Sequence, residues 1–448
     1  MKNTPIISVS GLRGIVGHSL DPVLASRYVA AFVSKLDAGP VVVTRDGRTT
    51  GPMLASAICA ALAAVGREVM FGDVAATPTT GVLVRENNAA GGVQISASHN
   101  PPEYNGIKLF GSDGRVISAD LGEAVRAAYN SQDPVWVDHF KVGRINGIQD
   151  TLNAHLAKVL KTVDVEAIRN RQFRVLLNAN HGAGSLLAAR LFAELNVQSK
   201  FVGGTPDGLF TNPPEPTEVN LAEFCGLVGQ GEYDVAFAQD PDADRLAVMD
   251  ETGNYIGEEM TLAITLDHAL RTRKGPVVIN CAISRMSVDI AANHQCECIL
   301  SAVGEANVCD QMIQSQAVYG GEGNGGPIDP MVGYVRDSFV GMAQVLDRLA
   351  AENRSVSEIV AGLPSYSIVK TVVNLDRDKI HSALDAIESR FSDARPSRLD
   401  GLRLDWDDRW VLIRASNTEP IVRVISEANS RESANALCEQ ARAVIDSL

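Results

Sequence analysis

Between residues 40 and 330 the same order of apolar runs returns three times. The first pass leads from PVVVTRDGRTTG through an Ala-rich stretch at 53–65 and the run REVMFGDV to GGVQISAS. The second leads from FRVLLNANHGAG through 186–195 and QSKFVGG to YDVAFAQD, and the third from GPVVINCAISR through CECILSAVG and 308–313 to AVYGGEG. Short β-branched runs alternating with Ala- and Leu-rich stretches are the pattern of α/β units. A period of about 100 residues marks whole domains, since solenoid units repeat every 20 to 50 or so. Each pass ends on a strand that enters a polar loop: SASHNPPEYNG, DPDADRL or GEGNGG. Carboxyl ends of strands in open α/β sheets face the ligand crevice, so the three loops are predicted to line one central cleft.

After residue 363 the pattern changes to a strand SIVKTVVNL, a helix over 378–391, a hairpin through LRLDWDDRWVLIRAS, a strand IVRVISEA and a last helix. Ile380, Leu384, Ile387 and Phe391 recur at i, i+4, i+7 and i+11, as do Ala434, Leu437, Ala441, Val444 and Leu448 at similar spacing, each set forming one apolar stripe. The fold expected is α/β: three similar α/β domains with mixed sheets, followed by a C-terminal α+β domain that serves as a lid. The boundaries fall at 1–148, 149–251, 252–364 and 365–448.

Charge removes two classes of partner. With 40 Lys and Arg against 54 Asp and Glu in 448 residues, the net charge of −14 repels nucleic acid and anionic membrane surfaces. The N-terminus has no apolar signal region and no apolar run reaches about 18 residues, so neither classical secretion nor a membrane span is expected. Seven scattered cysteines suit a reduced, cytoplasmic chain, and the lone C-x-C at Cys296 and Cys298 reads as two thiols rather than a zinc site.

Asp240, Asp242 and Asp244 follow the apolar run VAFAQ, and alternate side chains of an extended segment point the same way. Three carboxylates there call for a cation, and hard oxygen donors favour Mg²⁺. An EF-hand is excluded by Arg245 at the glycine position, by Pro241 and by the entering strand. Ser98 is a candidate phosphoryl acceptor; its neighbour His99 is expected to face away from it, which disfavours a hydrolytic dyad, and Lys108 returns on the next strand. GGEGNGG contains G-x-G-x-x-G, but Pro327 and Pro330 preclude the helix a dinucleotide would need, so Glu322 and Asn324 read as contacts to a hydroxyl-rich sugar. Arg414, Ser416, Asn417 and Thr418, with Arg423 on the following strand, form a candidate phosphate site.

Taken in order, SGLRGIVG, TRDGRTTG, SASHNPPEYNGIKLF, DPDADR, GGEGNGG and RASNTEPIVR resemble the α-D-phosphohexomutase family over nearly the whole chain. The likeness is nearest to archaeal-type phosphoglucosamine mutases. It implies four domains around a cleft, the last like the TATA-box-binding-protein fold. It implies a phosphoserine at Ser98, Mg²⁺ held by Asp240, Asp242, Asp244 and a phosphoserine oxygen, and Arg13 and Lys108 beside the transferring group, Lys108 handling the proton. Arg245 would reach the phosphoserine region, Glu322 the sugar hydroxyls, and Arg414, Ser416, Asn417, Thr418 and Arg423 the non-reacting phosphate.

The sugar loop departs from the G-E-x-S-G-H found in many phosphomannomutases and bacterial phosphoglucosamine mutases, with Asn324 and Gly326 in place of Ser and His. That leaves Lys108 or a water-mediated route for the proton. In SAVGEAN, Glu305 is the implied contact for an amino group. The expected reaction interconverts hexose 1-phosphate and hexose 6-phosphate through a hexose 1,6-bisphosphate, which also serves as activator, by a monomer or homodimer. The sugar stays open among glucosamine, mannose and glucose. An Asp-nucleophile phosphatase using Asp240 and a sugar-phosphate sensor without turnover are the rival readings.

Overall fold

The computed structural model describes residues 4–8, 11–131, 133–415 and 421–447. In each of the three α/β units the first apolar run becomes the central strand. Val41–Arg45, Arg174–Asn178 and Val277–Asn280 each lie between two parallel neighbours. Val41, Val42 and Val43 are fully buried, as a strand covered on both faces must be. A fourth strand then returns antiparallel to the third: Tyr104–Gly111 on Gly91–Ile95, Leu246–Met249 on Val235–Gln239, and Gly326–Ile328 on Tyr319–Glu322. The three chemistry-bearing loops are the connections into this returning strand, so each stands at the carboxyl end of the third strand of its sheet.

The first sheet gains Gly11–Ile15 and Ile6–Ser8 beside the returning strand and Ile145–Gly147 at the opposite edge, making seven strands. Pairing of Gly11 with Lys108 and of Arg13 with Gly106 sets the two cationic residues on adjacent strands. The helix Ser338–Glu352 ties the units together. Asp337 caps it by accepting from the amides of Phe339 and Val340 at 2.8 and 3.2 Å. Its Phe339, Val340, Leu346 and Leu349 join one core with Val82 of the first unit and Leu177 and Val248 of the second.

The C-terminal unit is a five-stranded antiparallel sheet in the order Ser367–Asn374, Ile421–Ala428, Trp410–Ala415, Leu402–Asp405, Arg395–Ser397. Alternation along Trp410–Ala415 sends Val411 and Ile413 toward the helices Ile380–Arg390 and Arg431–Asp446, while Trp410 and Leu412 pack against Cys281 of the third unit. The helix expected from residue 378 starts later, because Arg377–Lys379 form a 3₁₀ turn ahead of it. Among the described residues no helix is long and apolar enough to cross a membrane.

Candidate active site

Ser98 sits in a backbone conformation few serines adopt, at φ +51°. The loop around it is held by one buried guanidinium. Arg48 donates to the carbonyl oxygens of Ser98 and Asn100 at 2.7 and 2.6 Å and to those of Pro101 and Tyr104 at 2.8 and 2.9 Å. Arg48 is anchored by Asp46, which also accepts from Ser96 Oγ at 2.7 Å, and its far face lies 5.0 Å from the ring centroid of Phe210 in the second unit. Four carbonyls on one cation over-determine the loop, which is what a strained residue requires to persist. The left-handed turn also corrects an expectation. It brings Ser98 Oγ within 3.2 Å of His99 Nδ1, where an extended segment would have faced the two apart.

The acidic triad is built by a turn too, not by alternation along an extended segment. Ala243 stands at φ +58°, and Asp240 Oδ1 accepts from the amides of Asp244 and Arg245, both at 3.1 Å. This curls the chain so that oxygens of Asp240, Asp242 and Asp244 lie within 4.8 Å of one another, all three residues being fully buried. Asp240 Oδ2 accepts from Ser98 Oγ at 3.1 Å. Asp242 Oδ2 accepts from Thr77 Oγ1 and Lys108 Nζ, both at 2.5 Å, and Asp244 Oδ2 from Lys108 Nζ at 2.8 Å and Arg336 Nη2 at 2.7 Å. The other oxygen of Asp242 and of Asp244 is buried with no hydrogen-bond partner. Two bare carboxylate oxygens beside a third carboxylate are a donor set that fits a hard divalent cation.

Charge is arranged unevenly over this floor. Burial and the two neighbouring carboxylates push the Asp240 pKa up. Burial also works against ionised Asp242 and Asp244, but Lys108 and Thr77 at the first and Arg336, Lys108 and Arg245 at the second outweigh it and hold both below the usual carboxylate range. Burial would discharge Lys108; Asp242 and Asp244 keep it protonated instead. Burial, with Arg245 and Arg13 nearby, pushes His99 down to about 3, so its imidazole is neutral.

Above the floor opens a cavity of about 630 Å³ reached by all four units, with Arg13, Lys108, Arg245, Glu305, Asn324 and Arg423 in its lining. Arg13 donates to Asn100 Oδ1 at 3.2 Å, and Arg245 pairs with Glu215 at 3.1 Å. Glu322 accepts from Asn280 Nδ2 and the Gly304 amide, each at 3.1 Å, which joins the sugar loop to the SAVGEAN segment. Asn324 carries a buried side-chain oxygen without a partner. Arg414 and Arg423 are cross-strand partners, yet only Arg423 reaches the cavity: Arg414 is engaged by Asp400 at 2.7 Å, and Asp400 also accepts from the Val303 amide at 3.0 Å. Ser416, Asn417 and Thr418 lie outside the described residues.

The sequence reading assigned no role to Arg48, Thr77, Arg336 or Lys370. Arg48 stood in the quoted TRDGRTTG, where its neighbour Asp46 was the available signal. Arg336 and Lys370 stand in no motif, and only the fold carries them into the cavity.

Comparison with known proteins agrees with this architecture. Models of phosphoglucomutase/phosphomannomutase α/β/α domains I, II and III match residues 5–136, 153–253 and 257–366, and the family's C-terminal domain matches 372–444. A phosphoglucomutase/phosphomannomutase of Thermococcus kodakarensis is 34% identical over 439 residues, 96% of each chain. A probable phosphoglucosamine mutase of Methanopyrus kandleri is 32% identical, covering 96% of this chain and 95% of its own length. The crystal structure of a phosphoglucomutase/phosphomannomutase family protein of Burkholderia thailandensis superposes with a TM-score of 0.86 at 24% identity, over 99% of this chain and 97% of that one, which shows the same fold. With four domain models in order along nearly the whole chain and relatives above 30% identity end to end, this chain belongs to the phosphoglucomutase/phosphomannomutase family, whose members are phosphohexomutases.

Proposed function

We propose that the chain interconverts hexose 1-phosphate and hexose 6-phosphate by way of a phosphoserine at Ser98 and a hexose 1,6-bisphosphate, with glucosamine as the preferred sugar. The observation that carries this reading is Ser98 Oγ, 3.1 Å from Asp240 of a buried acidic triad with two bare oxygens. Asp240, Asp242 and Asp244 would hold Mg²⁺, which when bound neutralises oxygen charge around the transferring phosphoryl group.

The chain's own residues supply the rest. Phosphorylated Ser98 gives up its phosphoryl group as the Oγ–P bond breaks and a bond from P to a sugar hydroxyl oxygen forms, the proton of that hydroxyl ending on Ser98 Oγ. The bisphosphate turns over in the cavity, and its other phosphate returns to Ser98. Transfer of this kind is governed by positioning and charge more than by covalent help. Protonated Lys108 faces the oxygens that gain charge, Arg13 fixes Asn100 of the serine loop, and neutral His99 stands with Nδ1 3.2 Å from Ser98 Oγ, whose proton Asp240 Oδ2 accepts. Arg245 flanks the phosphoserine region from the opposite loop. Arg423, with Arg414, Ser416, Asn417 and Thr418 close to it in sequence, would hold the non-reacting phosphate, and the C-terminal domain would close over it. Glu322 and Asn324 face sugar hydroxyls, and acidic Glu305 supports an amino sugar over a neutral one.

The test is turnover of glucosamine 1-phosphate, mannose 1-phosphate and glucose 1-phosphate, each with a trace of the matching bisphosphate. Formation of the 6-phosphate, fastest with glucosamine, is expected; stoichiometric release of free phosphate would replace this reading with a phosphatase.

A further inference from the structure

One buried guanidinium joins the metal-site loop to the sugar side of the cavity. Arg336 stands just before Asp337, the cap of the helix Ser338–Glu352. Its Nη2 donates to Asp244 Oδ2 at 2.7 Å and its Nη1 to Glu322 Oε2 at 3.0 Å. Its backbone amide donates to Glu305 Oε1 at 2.9 Å, and Nε lies 3.3 Å from Glu305 Oε2. A cation this deeply buried is expensive unless paired, and here three carboxylates from two units surround it. Burial alone would discharge it; Asp244, Glu305 and Glu322 outweigh burial and keep it charged.

The side chain passes through space that residue 326 leaves free. A Cβ on Gly326 would lie 2.5 Å from Arg336 Cδ, 2.8 Å from its Cγ and 3.0 Å from its Cβ. Those are atoms of the stem, which cannot step aside as a flexible tip can, so any side chain at 326 would displace the arginine. Gly326 is one of the two positions at which the sugar loop departs from G-E-x-S-G-H, standing where His would. The departure therefore has a structural counterpart: the room is taken by an arginine from ten positions further along the chain.

We propose that Arg336 is a positioning residue, locking Asp244 of the metal site to Glu305 and Glu322 of the sugar site, and that Gly326 is its obligatory partner. The inference rests on the mutase reading for its role in turnover. Two effects follow from the charge. Arg336 competes with a divalent cation for Asp244, and it compensates the two carboxylates that face the sugar, holding down their preference for an amine.

The test uses the full chain with Arg336→Gln, Arg336→Lys, Gly326→Ala and the double variant Gly326→Ala/Arg336→Gln. Binding of Mn²⁺ alone is measured by calorimetry, and kcat and KM are measured with glucosamine 1-phosphate and glucose 1-phosphate. Loss of a unit charge beside Asp244 is expected to tighten Mn²⁺ binding by about threefold or more in Arg336→Gln. Its kcat should fall by about 10- to 100-fold, the usual effect of losing a group that orients a ligand, and the surviving activity should shift toward the amino sugar. A merely structural loss would neither tighten the metal nor change sugar preference. Arg336→Lys keeps the charge without the fork, restoring wild-type Mn²⁺ affinity but not kcat. Gly326→Ala should reproduce Arg336→Gln, and the double variant should fall within about threefold of it. Independent losses in the double variant, or wild-type Mn²⁺ affinity and kcat in Gly326→Ala, would overturn the proposal; the latter holds even if Arg336→Gln does not fold. Should the wild-type chain convert none of the hexose phosphates, the mutase reading fails, while the Mn²⁺ titrations still decide whether Gly326 and Arg336 act as one unit.

Discussion

The floor of the cavity and its far wall are built on opposite terms. On the floor, Ser98 and the acidic triad are no more than 1% exposed, and each is held by groups from another loop or unit: Arg48 on the serine loop, Thr77 and Lys108 on Asp242, Arg336 on Asp244. On the wall, Lys370 and Arg423 reach the cavity from neighbouring antiparallel strands, and Arg414 is turned to Asp400. The difference matches the division of labour that phosphoryl transfer demands. The reacting atoms need one fixed geometry in a site kept from water. The distant phosphate has to be gripped in two orientations of the sugar and then released, which suits side chains that are less enclosed.

Changes to the floor should therefore cost turnover, and changes to the wall should cost affinity. The largest effect is expected for Ser98→Ala, which removes the acceptor and should lower kcat by about 10⁴-fold or more without unfolding the chain, read by steady-state assay and thermal melting. Next, Asp242→Asn or Asp244→Asn keeps the shape but weakens the cation site, and kcat should fall by roughly 10² to 10³, with Mn²⁺ affinity lost in parallel in a calorimetric titration. On the wall, Arg423→Gln should raise KM by about tenfold with kcat changed far less, the size expected for one charge-assisted hydrogen bond to phosphate. A fall in kcat alone for Arg423→Gln would erase the distinction between floor and wall.

The smallest effect concerns Glu259 of the third unit, which lines the cavity and feels Lys370 of the wall. Burial pushes Glu259 up to about 8, with Lys370 and the Ser284 amide opposing it. Its folded-state pKa lies above its ordinary value of 4.5, so the native state binds more protons than the unfolded state between the two. Its contribution is fully present below 4.5, and stability falls as pH rises through about 8. Glu259→Gln should flatten that part of the melting-temperature profile. An unchanged slope would show that this carboxyl does not set it.

Much of the floor was legible in the chain. The threefold repeat placed three loops at equivalent strand ends, and period-2 and period-3.6 patterns gave the elements around them. Ser98 and the triad could be named from residue type because carboxylate clusters and hydroxyls after a strand carry their chemistry locally. What stayed hidden was backbone handedness and long-range pairing. The positive φ of Ser98 and of Ala243, which turns each loop back on itself, leaves no trace in a serine or an alanine. Arg48 acts 50 residues from Ser98 and Arg336 acts 92 residues from Asp244, so neither contact has a local spacing to betray it. The engagement of Arg414 by Asp400 is equally invisible, because Asp400 stands in no motif and pairs with Arg414 over a separation of 14 residues.

The claim on which the rest depends is that Ser98 carries the phosphoryl group between turnovers. Intact-mass analysis with peptide mapping, after the purified chain is charged with hexose 1,6-bisphosphate, tests it directly. One added phosphoryl group, located on Ser98 and passed to the sugar as hexose 1,6-bisphosphate when hexose 1-phosphate is supplied, is the result expected. An unmodified Ser98, or a phosphoryl group found instead on Asp240, would contradict it.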